Sequence, residues 1–425
     1  MADVRPFRAL RYAPNVDLAA AICPPFDVIS PKEQRALHQR SPHNAVRLEL
    51  AEDGEERYRR AADTLRRWLD AGVLRRDSSP AFYVYRQQFQ HGGRTYSRSV
   101  LFARLRLEEW EGGVVLPHER TFGAPKDDRL KLLRAARLNT SPVFLLYKDD
   151  RRLIQPLLAE CMGAPLLVEF SDGEGGGHAL WRIDNPRLTH ALSRASAGET
   201  LYVADGHHRY ETALAYRDER RAVAPAWSES EPENFILAAL TAADDPGLLV
   251  LPIHRLTNAD VPVAKALDRL ARVFEIEAVP SSPALLAALA ERGRLGSAFG
   301  LAAAQASELY LLTLRESQVL ELMPQEGSAA WRNLDASIAT YAVLRYGLGM
   351  DEAQMADYSA LWFTEDAGEA LAAVRDGRCR YALLLNPVPV RRILAVADAG
   401  ERMPQKSTFF YPKVPTGLVF NPLDG

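Results

Sequence analysis

The sequence predicts a mixed α/β (α+β) protein, and three observations predict it. Strand-like and helix-like periodicities alternate along the whole chain, two apolar runs flank a Gly-Gly turn, and one apolar strand passes through a single glycine straight into a helix. A length of 425 residues suits several domains of ordinary size rather than one.

The elements follow in order. Extended pieces are expected around Val4 to Tyr12 and Asn44 to Leu50, on either side of a Cys23-Pro24-Pro25 turn where proline forbids helix. From Glu55 to Ala71, residues Tyr58, Ala61, Ala62, Leu65, Trp68 and Leu69 recur at the spacing of an amphipathic helix, which Gly72 ends. The runs Ala81 to Phe89 and Thr95 to Leu107 straddle His91-Gly92-Gly93-Arg94 and read as a hairpin, because two glycines accept the positive φ of a tight turn.

Next come a loop over Leu116 to Phe122, a helix from Lys126 to Leu138, and an apolar strand from Val143 to Tyr147. A helix (Leu153 to Met162), a strand (Pro165 to Phe170), a Gly173 to Gly177 hairpin tip and a helix (Arg187 to Ala197) lead to the strand Leu201 to Asp205 and a helix opening at His207. Ala222 to Glu233, with prolines, serines and glutamates, reads as a surface linker or a lid. Phe235 to Leu256 is strand-rich, alternation continues to Leu314, and Trp331 to Leu348 reads as one long helix. A helix (Gly368 to Val374) and a strand (Tyr381 to Asn386) follow.

Composition narrows the function classes. With 52 Lys+Arg against 55 Asp+Glu, the net charge of −3 gives no global attraction to nucleic acid or to an anionic membrane, so neither is expected as a partner. The cysteines Cys23, Cys161 and Cys379 lack CxxC spacing and are odd in number, which fits a reducing cytoplasm. The opening MADVRPFRAL has charges where a signal peptide needs an apolar core, and the apolar stretch Leu248 to Ile253 is far shorter than a membrane span. GxSxG, an early GxGxxG and a basic helix-turn-helix do not occur.

Chemistry concentrates at Asp205-Gly206-His207-His208-Arg209. The first amides of a helix lack intrahelical partners and the helix dipole adds partial positive charge there, so a phosphate is the natural guest. Gly206 lets the backbone approach, Arg209 offers a planar fork, and His207 and His208 add donors whose charge varies near neutrality. Asp205 is placed to carry Mg²⁺ or to orient a hydroxyl; an aspartate cap beside surface histidines is the plain alternative. Neighbouring helical residues point about 100° apart, which disfavours one zinc held by both histidines. In the Pro117-His118-Glu119 loop, Glu119 is the candidate base, set before a cation-rich helix with Lys126, Arg129, Lys131 and Arg134; a simple surface ion pair is its alternative. Near the C-terminus Lys406 stands beside an aromatic cluster, either as a phosphate contact or in a segment that packs the tail onto the body.

With these motifs in view, the chain resembles a family of uncharacterised microbial proteins known only as a domain of unknown function. The likeness is carried by CPPFDVIS, LPHERTF with PKDDRLKLL, NTSPVFLLY, ADGHHRYETAL and MPQKSTFFYPKVPTGLV. More remotely, ADGHHRYETAL is similar to the phosphate-binding turn of the ParB and sulfiredoxin superfamily, nearest the DGHHR form in ADP-dependent free serine kinases. Sulfiredoxins carry cysteine where this chain has His207, and the arginine-rich turn and DNA-binding module of chromosome-partition ParB proteins are not evident.

The resemblance implies a ParB/sulfiredoxin-like core over 111–257, between an N-terminal α/β region with helix and hairpin (1–110) and a C-terminal mixed α/β region (258–425). It implies a nucleotide- and Mg²⁺-dependent phosphotransferase acting on the hydroxyl of a small metabolite such as free serine, with ADP or ATP as donor. Glu119 would be the base, Asp205 would carry metal or orient the acceptor, and Gly206, His207, His208 and Arg209 would hold phosphates, with Lys126, Arg129 and Lys406 as further cations. A non-catalytic nucleotide-binding regulator and a metal-dependent phosphoester hydrolase stand as alternatives.

Overall fold

The two runs around Gly92-Gly93 form the expected hairpin, strands Phe82–His91 and Arg94–Arg106, with His91 opposite Arg94. Gly92 and Gly93 have φ of 56° and 74°, the positive values that make a two-residue turn follow the twist of the strands. The structure, a computed structural model, describes all residues except 53, 55, 120–122, 174, 305, 316–318 and 425, and gives only the backbone of 123–125. The end of the LPHERTF stretch and one residue of the Gly173 to Gly177 tip therefore lie outside the described residues.

The chain is a mixed α/β protein of two units, one comprising Met1–Pro117, Thr121–Leu249 and Pro412–Gly425, the other His118–Arg120 and Val250–Tyr411. This division and the three successive regions read from sequence cut the chain in different places. The first unit holds a nine-stranded sheet in which Val115–Pro117, Leu201–Asp205, Val143–Tyr147, Phe235–Ala242, Arg94–Arg106, Phe82–His91, Gly177–Ile183 and Val168–Ser171 are neighbours in that order, and Val4–Arg5 pairs with Arg94–Arg106. Every residue of Phe235–Ala242 is buried, as a central strand covered on both faces requires. Helices Gly123–Ala136 and His207–Val223 pack against each other and are tied by a Lys126–Glu211 ion pair of 3.0 Å and by Arg134–Glu219 at 2.7 Å.

The second unit holds a six-stranded antiparallel sheet, in the order Phe274–Val279, Leu309–Leu314, Ala298–Ala303, Tyr381–Leu384, His254–Thr257 and Leu361–Thr364. Two separate cores use it: one includes Phe299 and Leu301 with Ala339 and Val343, the other Ala302 and Leu384 with Leu285 and Ala373. Among the described residues no helix is long and apolar enough to cross a membrane.

Three sequence expectations need correction. Asn44 to Leu50 is not extended: Val46–Glu49 is a helical turn, because the Asn44 carboxamide accepts from Val46 N–H and donates to the carbonyls of Ala20 and Ile22. Trp331 to Leu348 is not one helix; Ala329–Arg332 stops at Asn333, and Asp335–Ile338 runs on into a π-helical Ala339–Gly347. Val390–Asp398 is a helix that the periodicity reading passed over. The segment after Val223 is internally tied, with Trp227 Nε1 donating to Asn234 Oδ1 at 3.2 Å and Asn234 Nδ2 to the Ser228 carbonyl at 2.8 Å.

Candidate phosphate site

Strand Leu201–Asp205 lies between a parallel and an antiparallel neighbour and carries a bulge between Val203 and Asp205, which re-aims the last side chain of the strand. Gly206 then turns in the left-handed region, φ 89° and ψ 28°, and the 17-residue helix His207–Val223 begins. A Cβ on Gly206 would stand 3.0 Å from Cζ and Nε of Arg209, so the guanidinium folds back over the glycine. We expect Gly206→Ala to cost about 1–2 kcal/mol from the positive φ alone, read as a lower urea midpoint with an unchanged m value; an unchanged midpoint would refute the tight turn.

Asp205 is gripped from two sides. Its Oδ2 accepts from Arg209 Nη2 at 2.5 Å and its Oδ1 from Lys413 Nζ at 2.5 Å, with all three side chains nearly buried. Burial would raise the Asp205 pKa, but Lys413, Arg209 and His207 outweigh it and hold the carboxyl well below the usual carboxylate range. The other end of Arg209 donates to the Pro142 carbonyl, and its Nε is buried with no hydrogen-bond partner among the described residues. Burial works against the Arg209 charge, and Asp205, then Asp27 and Glu49, restore it and raise its pKa.

Asp27 is the residue the sequence reading did not name. It sits in the short turn Phe26–Val28 of CPPFDVIS and keeps an exposed surface, yet desolvation and then the like charge of Asp205 push its pKa up. Three contacts hold its segment: Phe26 N–H donates to Glu49 Oε1 at 3.2 Å, Arg129 lies 4.1 Å over the Phe26 ring, and Cys23 exchanges backbone hydrogen bonds with Thr416.

The expected cations divide. Arg129 is buried and engaged by Asp128 and by the Glu49 carbonyl at 2.7 Å, so in this structure it braces the Asp27 segment. Lys126 spans to Glu211 on the glycine-turn helix. His207 is buried and His208 half-buried at the first turn of that helix. Glu119 and Lys406 belong to the second unit, where Glu119 Oε1 accepts from the Lys406 backbone N–H at 3.1 Å, and Lys406 has a φ of 53°. Nearby, His118 Nε2 and Thr408 Oγ1 are 3.0 Å apart, and the His118 and Phe410 rings meet edge to face. The C-terminal motif holds two lysines; the structure puts Lys413, which the sequence reading left without a role, on Asp205.

Among the described residues no three His, Cys, Asp or Glu side chains converge as metal ligands. Both oxygens of Asp205 are already taken by cations, which does not fit a preformed cage for Mg²⁺. Mg²⁺ commonly binds through one or two carboxylates with the rest of its shell from phosphates and water, and for that mode Asp27 and Asp205 are the carboxylates at hand.

Residues 4–337 match the family model described as "Protein of unknown function (DUF1015)". No curated protein matches the chain. Solved structures similar to it include a conserved hypothetical protein from Pyrococcus furiosus, with 12% identity, a TM-score of 0.35 and coverage of 74% of this chain and 93% of that one. Another is a mutant free serine kinase in complex with ADP, with 11% identity, a TM-score of 0.37 and coverage of 75% and 92%. A third is SbnI with a C-terminal truncation from Staphylococcus aureus, with 10% identity, a TM-score of 0.38 and coverage of 76% and 87%. Likenesses at this level carry no argument about activity, which rests on the residues of the chain itself.

Proposed function

The chain belongs to the DUF1015 family, whose description assigns no activity, and for it we propose a nucleotide-dependent phosphotransferase acting on a hydroxyl of a small metabolite. One observation carries the reading: at the glycine turn, a helix N-terminus, Arg209 and Lys413 meet around a single carboxylate, Asp205, with His207 beside them. Incoming phosphate oxygens would share the two cations with Asp205 and add the helix amides, since two cations against one carboxylate leave positive charge for an anion.

In the transfer, the hydroxyl oxygen of the acceptor bonds to the terminal phosphorus of ADP or ATP, the bond from that phosphorus to the bridging oxygen breaks, and the shortened nucleotide leaves with the bond electrons. The hydroxyl proton passes to a carboxylate. Glu119 is the candidate from sequence, and Asp27 is the second, favoured by its raised pKa and accessible surface. Mg²⁺ bound with the phosphates would neutralise their charge. Free serine is the proposed acceptor.

A thermal-shift panel of ADP, ATP, CTP, GTP and pyrophosphate with Mg²⁺ tests the reading. ADP or ATP at 100 times its Kd should stabilise the protein by about 2.7 kcal/mol, and failure of every ligand to raise Tm would overturn it. If nucleotide binds, Glu119→Gln and Asp27→Asn separate the bases: the correct one lowers kcat by roughly 10²–10⁴-fold with little change in nucleotide Kd. A non-catalytic nucleotide-binding module is favoured by the same two cations closing Asp205 off from metal; it predicts selective nucleotide binding with no turnover of any hydroxylated acceptor tried, serine included.

A further inference from the structure

Arg98, in strand Arg94–Arg106, is among the largest fully buried side chains of the described residues, and the phosphate reading does not use it. Taking a guanidinium out of water is costly, so what it touches should offset that cost. Its Nη2 donates to Gln87 Oε1 at 2.5 Å and to the Pro412 carbonyl at 2.7 Å. Gln87 stands opposite Arg98 in the hairpin register, and its Nε2 reaches the Lys413 carbonyl at 3.5 Å.

The pair thus grips the carbonyls on both sides of the Lys413 α-carbon. Cζ of the guanidinium lies over the Phe144 ring, 5.0 Å from its centroid, and Phe144 is the residue opposite Asp205 in the sheet. Burial lowers the Arg98 pKa to about 10, with Tyr85 and Asp245 opposing, so the side chain stays charged at neutral pH. Nε and Nη1 of Arg98 have no hydrogen-bond partner among the described residues, so the bonds it does make converge on Gln87 and the tail.

We propose that Arg98, with Gln87, is a positioning residue that fixes the Pro412–Lys413 backbone so that the Lys413 ammonium is delivered to Asp205 and to a phosphate that binds there. The delivery to Asp205 stands on the structure, while the phosphate step rests on the function proposed above.

Two measurements on the full chain separate these parts. In the first, lysines are acetylated with a succinimidyl ester and each site is followed by peptide mass spectrometry, with exposed Lys265 as internal reference. Lys413 should react slowly in the parent protein, Arg98→Met should speed it by about tenfold as the segment loses its anchoring bonds, and Arg98→Lys should restore much of the protection. An unchanged Lys413 rate in folded Arg98→Met overturns the proposal. Should Arg98→Met fail to fold, Gln87→Leu loosens the same grip from the other carbonyl and is judged the same way.

The second measurement is the Kd for ADP with Mg²⁺. Arg98→Met and Lys413→Met should each weaken binding, and the double variant should be no weaker than Lys413→Met alone, because Arg98 acts through Lys413. Fully additive losses overturn the proposal. If the parent protein binds no ADP, the phosphate reading fails, and the acetylation rates still decide the role of Arg98.

Discussion

Asp205→Ala should destabilise the protein by about 3–5 kcal/mol, the usual cost of removing one partner from a buried ion pair. The reason is the company Asp205 keeps: Arg209 and Lys413 are each only slightly exposed and meet its two oxygens at 2.5 Å, so its loss removes the carboxylate that bridges two nearly buried cations. Asp205→Asn, which keeps the shape and loses the charge, should fall between the two. The pH dependence gives an independent check. Because the folded-state pKa of Asp205 is depressed, its stabilisation is fully present above the unfolded value, about 3.9, and is lost as pH falls below that toward the folded pKa. Urea unfolding from pH 7 down to pH 2.5 should therefore show the gap between parent and Asp205→Ala narrowing below about pH 4. A gap that stays constant, or that is under 1 kcal/mol at pH 7, would show that Asp205 is not the hub of the cluster.

Ending the chain at Tyr411 should prevent the first unit from folding stably. The removed segment, 412–425, carries buried Val414, Leu418, Val419, Phe420 and Leu423, and burying five such side chains is worth on the order of 10 kcal/mol, comparable to the whole stability of an ordinary domain. Phe420 packs edge to face on Tyr12 within a cluster that includes Leu10, Trp68 and Leu74, and Asn421–Pro422 pairs with Leu138–Asn139. The point variant Phe420→Ala should cost about 3–5 kcal/mol and keep enough structure to be measured. The checks are far-UV circular dichroism and Tm. A truncated chain that melts cooperatively within a few degrees of the parent would mean that the tail is an accessory strap and not part of the core.

How much of this was legible in the sequence differs from element to element. The hairpin at Gly92-Gly93 and the strand–glycine–helix junction at Gly206 were readable because their causes are local: two adjacent glycines license a tight turn, and an apolar run ending in Asp-Gly before a helical period has few other conformations. Asn44 to Leu50 misled for the opposite reason, since the Asn44 side chain bonds to Ala20 and Ile22, which its neighbours in sequence do not reveal. The same holds within the site. Arg129 looks like a phosphate ligand by composition and is instead buried over Phe26, whereas Asp27 had only a weak signal, one acid in a proline-stiffened apolar stretch.

By itself the sequence determined the α/β class, the family-specific motifs and the one turn at which backbone amides, an arginine and two histidines come together, because all of these depend on residues within a few positions of one another. Only the tertiary structure decided which distant charges complete that turn. Lys413 stands 208 positions from Asp205 and shares a motif with a second lysine of equal chemistry, Lys406. Nothing in residue type separates two lysines. The difference is made by where the chain returns: 412–425 packs into the first unit while Lys406 stays in the second, so burial of the tail, a long-range hydrophobic effect, selects the cation that Asp205 meets.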